Sequence, residues 1–192
     1  AGLATIDSDY TARLDSDDAA KPERFARQLE YLEAHPEVGA LGSAVEEFAH
    51  TPGDTGKVRA LPENPHAYAK MNSPVNNPSV MLRTRAVKEV GGYKDVHFME
   101  DYDLYARLIA GGWQVRNLPG ALTDFQVTDA QFARRTGREM LAAEAKMQRN
   151  LVSYGLISRP RAAFNLAART AYRALPTGLL RRVYAALFHR ER

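Results

Sequence analysis

Apolar side chains recur at helical spacing in three stretches of this chain, with short continuous apolar runs between them. In AAKPERFARQLEYLEAHPEVGALGSAVEEF, Phe25, Leu29 and Leu32 fall on one helical face, Pro22 occupies the first turn, and His35-Pro36 ends the pattern. Asp18 is placed to cap this helix. Strands are expected before it at Tyr10 to Leu14 and after it at Val38 to Val45. The stretch from His50 to Asn64, rich in Gly, Pro, Asp and Thr, reads as a surface loop.

NNPSVMLRTRAVKEVGGY predicts a buried strand at Ser79 to Leu82 and a short helix at Thr84 to Val90, closed by Gly91-Gly92. MEDYDLYARLIAGGWQVRNLP repeats the plan: Leu104, Leu108 and Ile109 share a helical face, Gly111-Gly112 end it, and Trp113 to Leu118 resumes as a strand. Strands alternating with amphipathic helices predict an α/β fold. From Ala130 a longer polar helix leaves that alternation, and a boundary near Gly155 would divide a body, residues 1–150, from a tail, residues 151–192.

Composition narrows the chemistry. The 192 residues are 45% hydrophobic and 26% charged, enough for one ordinary core plus an appendage. There is no cysteine. That excludes a disulfide framework, a thiolate metal site and a thiol nucleophile, makes a reducing compartment the natural home, and leaves oxygen or histidine to hold any metal. No apolar run approaches the ~20 residues needed to cross a bilayer, and the first residues lack the basic and apolar segments of a secretory signal. The expectation is a chain that neither spans a membrane nor carries an export signal. The net charge of +3 is uneven: eight arginines, no lysine and one acid follow Asn150, whereas the first 150 residues carry 18 basic and 22 acidic side chains. An acidic body therefore bears a basic tail.

Two acidic clusters stand out. Asp15-Ser16-Asp17-Asp18 follows one expected strand and precedes a helix, the position at which α/β sheets collect ligands. Carboxylates one residue apart can converge on a hard cation such as Mg²⁺ or Mn²⁺; equally, the acids can serve as cap and dipole partners. The earlier triplet Asp7-Ser8-Asp9 lacks this context and reads as a turn. An EF-hand loop counted from Asp7 would need glycine where Ala12 stands. Glu100-Asp101-Tyr102-Asp103 opens a helix, where acids suit the dipole but also offer a carboxylate base.

TARLDSDDAAKPERFARQLEYLEAHPEVGALGSAVEEF, NNPSVMLRTRAVKEVGGY and MEDYDLYARL, in this order and spacing, strongly resemble family 2 glycosyltransferases of the GT-A fold, over roughly Tyr10 to Arg138. The resemblance implies a Rossmann-like GT-A domain in which Asp15-Ser16-Asp17 is the DxD motif. Asp17 would ligate Mn²⁺ or Mg²⁺, and Asp15 would contact the nucleotide ribose or a metal-bound water. It implies that Asp101 is the general base for the acceptor hydroxyl and that Glu100 helps to orient the acceptor. Gly92 and Tyr93 of the G-G-Y turn, and Asn77, would contact substrate; a plain helix stop explains the glycines equally well.

Three departures accompany the resemblance. Family members normally begin with a strand, a helix and a strand bearing Asp-Asp-Gly-Ser, and none of this precedes Ala1, so the chain is expected to be the second half of a catalytic domain plus C-terminal helices. Asn76-Asn77-Pro78 stands where a histidine before the proline is usual. The Q-x-x-R-W segment of processive members is missing, since Gln126-Val127-Thr128-Asp129 does not match it, which implies transfer of a single sugar. His97 is a candidate ligand or plain polar surface.

The tail holds two short amphipathic segments split by Pro176. Leu180, Val183, Tyr184, Leu187 and Phe188 share one face, with Arg181, Arg182 and Arg190 elsewhere. Such a helix can lie in an anionic membrane surface, each arginine adding up to about 1 kcal/mol, or pack on its own domain. Nucleic acid is not expected, because the body is acidic and shows no binding module. The reading is a metal-dependent inverting glycosyltransferase that takes a UDP- or GDP-linked sugar to a cell-surface glycan or lipid-linked acceptor. It would be cytoplasmic, peripheral to the inner face of the plasma membrane. The rival is a non-catalytic module that binds a membrane or a partner.

Overall fold

The computed structural model describes residues 6–128, 138–173 and 189–190. Strand β1 (Tyr10–Ala12) leads to a two-residue strand, β2 (Ala19–Ala20), then helix α1 (Arg24–Ala34) and the long strand β3 (Val38–Phe48). β4 (Lys57–Arg59), β5 (Met81–Arg83) and helices α2 (Thr84–Glu89) and α3 (Glu100–Ala110) follow. Then come β6 (Gln114–Gln126), helices α4 (Arg138–Ser153) and α5 (Arg159–Arg173), and the short β7 (His189–Arg190).

β3 is the axis of the sheet. β6 runs parallel to it along one side, reached by a crossover through α2 and α3, the connection that parallel strands require. On its other side β3 pairs antiparallel first with β5, through Ala40 and Leu41, and then with β4, through Val45 to Glu47. β1 extends the sheet antiparallel to β5, and β2 pairs with the far end of β6. All eleven residues of β3 are buried, so this strand runs beyond Val45 to Phe48. Gly42 admits the neighbouring strand and loop, because a Cβ there would collide with Val75 and Asn117.

The main core packs Leu82, Ala86 and Val87 against Leu104, Tyr105 and Leu108 of α3. A second cluster joins Tyr102 and Ala106 of α3 to Met140, Ala143 and Met147 of α4. α3 thus buries the face that its periodicity marks, and Leu104 and Leu108 are inaccessible.

α1 departs from expectation. Phe25 is 51% exposed and Leu29 37%, whereas Arg24 and Gln28 are inaccessible beside Leu32. The physical reason is backbone satisfaction. Arg24 Nη2 donates to the carbonyls of Arg13 (2.7 Å) and Val80 (3.2 Å), and Gln28 Nε2 donates to those of Leu41 (3.0 Å) and Ser79 (2.8 Å); Arg13, Val80 and Ser79 flank strand ends, and Leu41 lies within β3. Buried carbonyls need donors more than they need apolar contacts. Asp18 does not cap α1; Glu23 is its N-cap and makes no side-chain cap bond. The expected loop from His50 to Asn64 contains β4, and Ser79 belongs to a short 3-10 turn, Asn77–Ser79, ahead of β5. The start of the helix expected from Ala130, and the amphipathic positions from Leu180 to Phe188, lie outside the described residues.

Candidate active site

The Asp15–Asp18 loop begins where β1 leaves the sheet. Arg13 keeps one strand-like bond, N to Val80 O at 3.0 Å, and the turn closes with Asp18 N donating to Asp15 O at 3.1 Å. Arg13 donates Nε and Nη2 to Asp15 Oδ1, at 3.1 and 3.0 Å, which fixes that carboxylate and leaves its second oxygen out of this pair. Asp17 is exposed at the apex. Asp18 turns back: its Oδ1 accepts from Gln126 N at 2.8 Å, pinning the loop to β6, while its Oδ2 is buried without a hydrogen-bond partner among the described residues. Burial, with Asp17 and Asp15 adding repulsion, pushes the Asp18 carboxyl up to about 6 against the opposing Gln126 amide.

This donor set fits a divalent cation in one particular way. Three carboxylates repel one another here, one has an orphaned buried oxygen, and every candidate ligand is oxygen, which suits Mg²⁺ or Mn²⁺. No group of three or more His, Cys, Asp or Glu among the described residues could hold an ion by itself. A cation here would take its remaining ligands from water and substrate phosphate, as Mg²⁺ usually does.

The second cluster is built into the core. Phe98 adopts φ 60°, an uncommon conformation for a bulky residue, and this turn delivers the chain into α3. Asp101 sits in the first turn with Oδ1 accepting from Tyr102 N at 2.7 Å. Burial raises its pKa and Glu100 reinforces the rise, opposed by the Tyr102 amide and by Arg13. Asp103 is wholly buried and saturated: it accepts from Arg107 Nε, Asn150 Nδ2 and the Tyr154 hydroxyl, each at 2.8 Å. Arg107 in turn donates to the carbonyls of Val90 (2.5 Å) and Gly92 (2.7 Å). The Gly91-Gly92 turn, with φ 79° and 64°, is thereby fastened to the helix that carries Asp101.

The two clusters, some 85 positions apart in sequence, meet across one open cleft of about 320 Å³. Asp15 and Asp101 both line it, as does Asn77, whose Oδ1 accepts from the Tyr105 hydroxyl at 2.7 Å. Asp17, Glu100, Gly92 and Tyr93 do not line it. Tyr93 lies behind Arg13, in hydrogen-bond contact with that guanidinium and within electrostatic reach of Asp101. His97 is exposed and lies 3.9 Å from Glu139, apart from the cleft lining.

Sequence reasoning missed Arg59, Tyr68, Asn72 and Arg169, which also line the cleft. Arg59 comes from β4, inside the stretch read as loop; its guanidinium lies 4.6 Å from the Phe125 ring centre and 3.6 Å from Glu47. Arg169 comes from α5, part of the tail set apart for a membrane. A signal was present there: Arg161, Asn165 and Arg169 form a polar stripe at intervals of four along an alanine-rich helix.

The glycosyl transferase family 2 model matches residues 1–88. The amylovoran biosynthesis glycosyltransferase AmsE of Erwinia amylovora is 32% identical over 185 residues, covering 96% of this chain and 70% of that protein. The Escherichia coli enzyme named UDP-Gal:alpha-D-GlcNAc-diphosphoundecaprenol beta-1,3-galactosyltransferase is 31% identical over 191 residues, covering 98% and 70%. The chain belongs to glycosyl transferase family 2. Among solved structures, S. aureus TarS in complex with UDP-GlcNAc superposes with a TM-score of 0.59 at 11% identity over 86% of this chain. The mannosyltransferase PcManGT of Pyrobaculum calidifontis, in complex with GDP-Man and Mn²⁺, gives 0.50 at 19% identity over 97%. Both share the fold, and this chain spans 49% and 57% of their lengths. Within family 2, the convergence of the Asp15 loop and Asp101 on one cleft has a ready chemical use.

Proposed function

We propose that this chain carries the metal- and acceptor-binding part of a glycosyltransferase that moves one sugar, with inversion, from a nucleoside diphosphate to an acceptor hydroxyl. The observation that carries the reading is that Asp15 and Asp101, far apart in sequence, line the same cleft. Asp17 and Asp15 would hold Mn²⁺ or Mg²⁺, which supplies neutralisation of the departing diphosphate. Arg13 keeps Asp15 oriented, and Asn77, held by the Tyr105 hydroxyl, lines the same cleft.

Asp101 accepts the acceptor's hydroxyl proton while that oxygen attacks the anomeric carbon. The anomeric carbon–oxygen bond to the nucleotide breaks on the opposite face, its electron pair leaving with the diphosphate, and the configuration inverts. A carboxylate raised by burial is a better base than a solvated one, so the enclosure of Asp101 serves this step. Glu100 is exposed beside it and is assigned to acceptor orientation, with Gly92 and Tyr93 as the turn behind it.

The donor is assigned to the UDP- or GDP-linked class, as in the two solved neighbours. The acceptor is assigned to polyprenyl-diphosphate-linked sugars of surface polysaccharide assembly, as the names of the two relatives suggest. Among the described residues no helix is long and apolar enough to cross a membrane, and peripheral attachment at the cytoplasmic face through the basic tail, residues 151–192, is proposed with this acceptor. The rival reading as a non-catalytic module is not favoured, because relatives named as glycosyltransferases align along nearly the whole chain.

The test is Asp101→Asn. Transfer from UDP- or GDP-sugars to GlcNAc-diphosphoundecaprenol should fall about 10³-fold, within the range for a lost general base. Mn²⁺-dependent nucleotide affinity should stay within about twofold. An unchanged transfer rate removes Asp101 from the role.

A further inference from the structure

The cleft wall formed by Tyr68, Asn72 and Ser73 lacks a sheet or α-helix of its own; it is a short 3-10 turn, Tyr68–Lys70, followed by irregular chain. The end of such a turn leaves carbonyls that the turn itself does not satisfy. Three successive ones are taken by side chains from elsewhere. Tyr102, adjacent to Asp101, donates its hydroxyl to Ala69 O at 2.6 Å. Asn165 Nδ2 donates to Lys70 O at 2.7 Å, and Arg169 Nη1 donates to Met71 O at 2.8 Å.

Arg169 does more than complete the series. Its Nη1 also reaches Asn72 Oδ1, while Nε and Nη2 grip both oxygens of Glu144 at 2.5 Å each. Glu144 is wholly buried and the Arg169 side chain is 16% exposed. A bidentate pair of this kind fixes a guanidinium in direction as well as place, which a lysine ammonium cannot do. α4 and α5 therefore act as a bracket, with Glu144 as anchor and Arg169 as the arm that reaches the wall. Through Tyr102 the same wall is tied to the first turn of α3, next to the proposed base.

We propose that Arg169, oriented by Glu144, is a positioning residue for acceptor binding, holding the Met71–Asn72 wall at its working distance from Asp101. The proposal rests on the family 2 reading of the cleft. It gives α5 a role in the reaction itself.

The experiment compares wild type, Arg169→Lys, Asn72→Ala and the double variant in the longest chain that transfers. Steady-state kinetics use the UDP- or GDP-sugar that wild type accepts and GlcNAc-diphosphoundecaprenol, with thermal midpoints measured in parallel. Arg169→Lys should raise the acceptor KM by about tenfold and leave the donor KM within about twofold. Asn72→Ala keeps the buried pair intact, so it tests the arm even where Arg169→Lys folds poorly, and it should raise the acceptor KM in the same direction. If the two residues act as one device, the double variant should be no worse than the worse single variant. Unchanged acceptor KM in Asn72→Ala, equal losses for donor and acceptor, or effects that multiply in the double variant would overturn the proposal. Transfer by Asp101→Asn as fast as by wild type overturns the underlying reading of the cleft instead.

Discussion

The two acidic clusters look alike on paper, D-S-D-D and E-D-Y-D, yet the structure treats them as opposites. The first is a loop apex with Asp17 in solvent and Asp18 holding one orphaned buried oxygen. The second is a helix start whose third acid, Asp103, is inaccessible and fully hydrogen-bonded. Asp15 and Asp17 add to the burial that raises the Asp18 carboxyl, whose Oδ2 has no hydrogen-bond partner among the described residues, whereas Asp103 of the α3 cluster is saturated. On the proposed function, the first side would bind the cation and the second would hold the base in place.

Substitutions can break that contrast. Asp103→Asn should cost about 3 kcal/mol, because it leaves Arg107 buried without its carboxylate, while exposed Asp17→Asn should stay within about 0.5 kcal/mol. Denaturant midpoints measure both, and equal costs would erase the distinction. The pH dependence sharpens it. Asp101 must be ionised to act as a base, and its pKa is raised from the ordinary carboxylate value by burial and by Glu100. On the acid side of that raised value kcat/KM should therefore fall about tenfold per pH unit, and the limb should vanish in Asp101→Asn.

The smallest effects concern α1, where sequence reading chose the wrong face. Arg24→Leu should lose about 2 kcal/mol by removing the Arg24 donor from the Arg13 carbonyl and leaving that of Val80 with the Arg13 amide alone, but Phe25→Ser should change stability by less than about 0.5 kcal/mol. Thermal or denaturant unfolding of the two variants decides the point.

These contrasts also mark how far the sequence could be read. α2, α3 and the Gly-Gly stops were legible because their apolar positions meet the core directly and Gly91, Gly92 and Gly112 take left-handed φ values. α1 was not, since its buried face is chosen by distant carbonyls that have no signature in the local pattern. β4 was hidden in a polar stretch because its pairing partner is the far end of β3, and that strand shows its length only once its neighbours are in place. At the site, the clusters around Asp15 and Asp101 were legible from motif and context. Arg59 and Arg169 were not, because each enters the cleft from an element whose own sequence gives no sign of where it folds back. The polar stripe on α5 is the one local sign, and it reads as a partner face only beside Glu144 and the Met71 carbonyl.

The division of labour between the clusters is tested most directly by calorimetric titration with UDP and GDP, with and without Mn²⁺, of wild type, Asp17→Asn and Asp101→Asn. The account predicts metal-dependent nucleotide binding that disappears in Asp17→Asn and persists in Asp101→Asn. Binding that needs no metal, or that survives Asp17→Asn and is lost in Asp101→Asn, would contradict it.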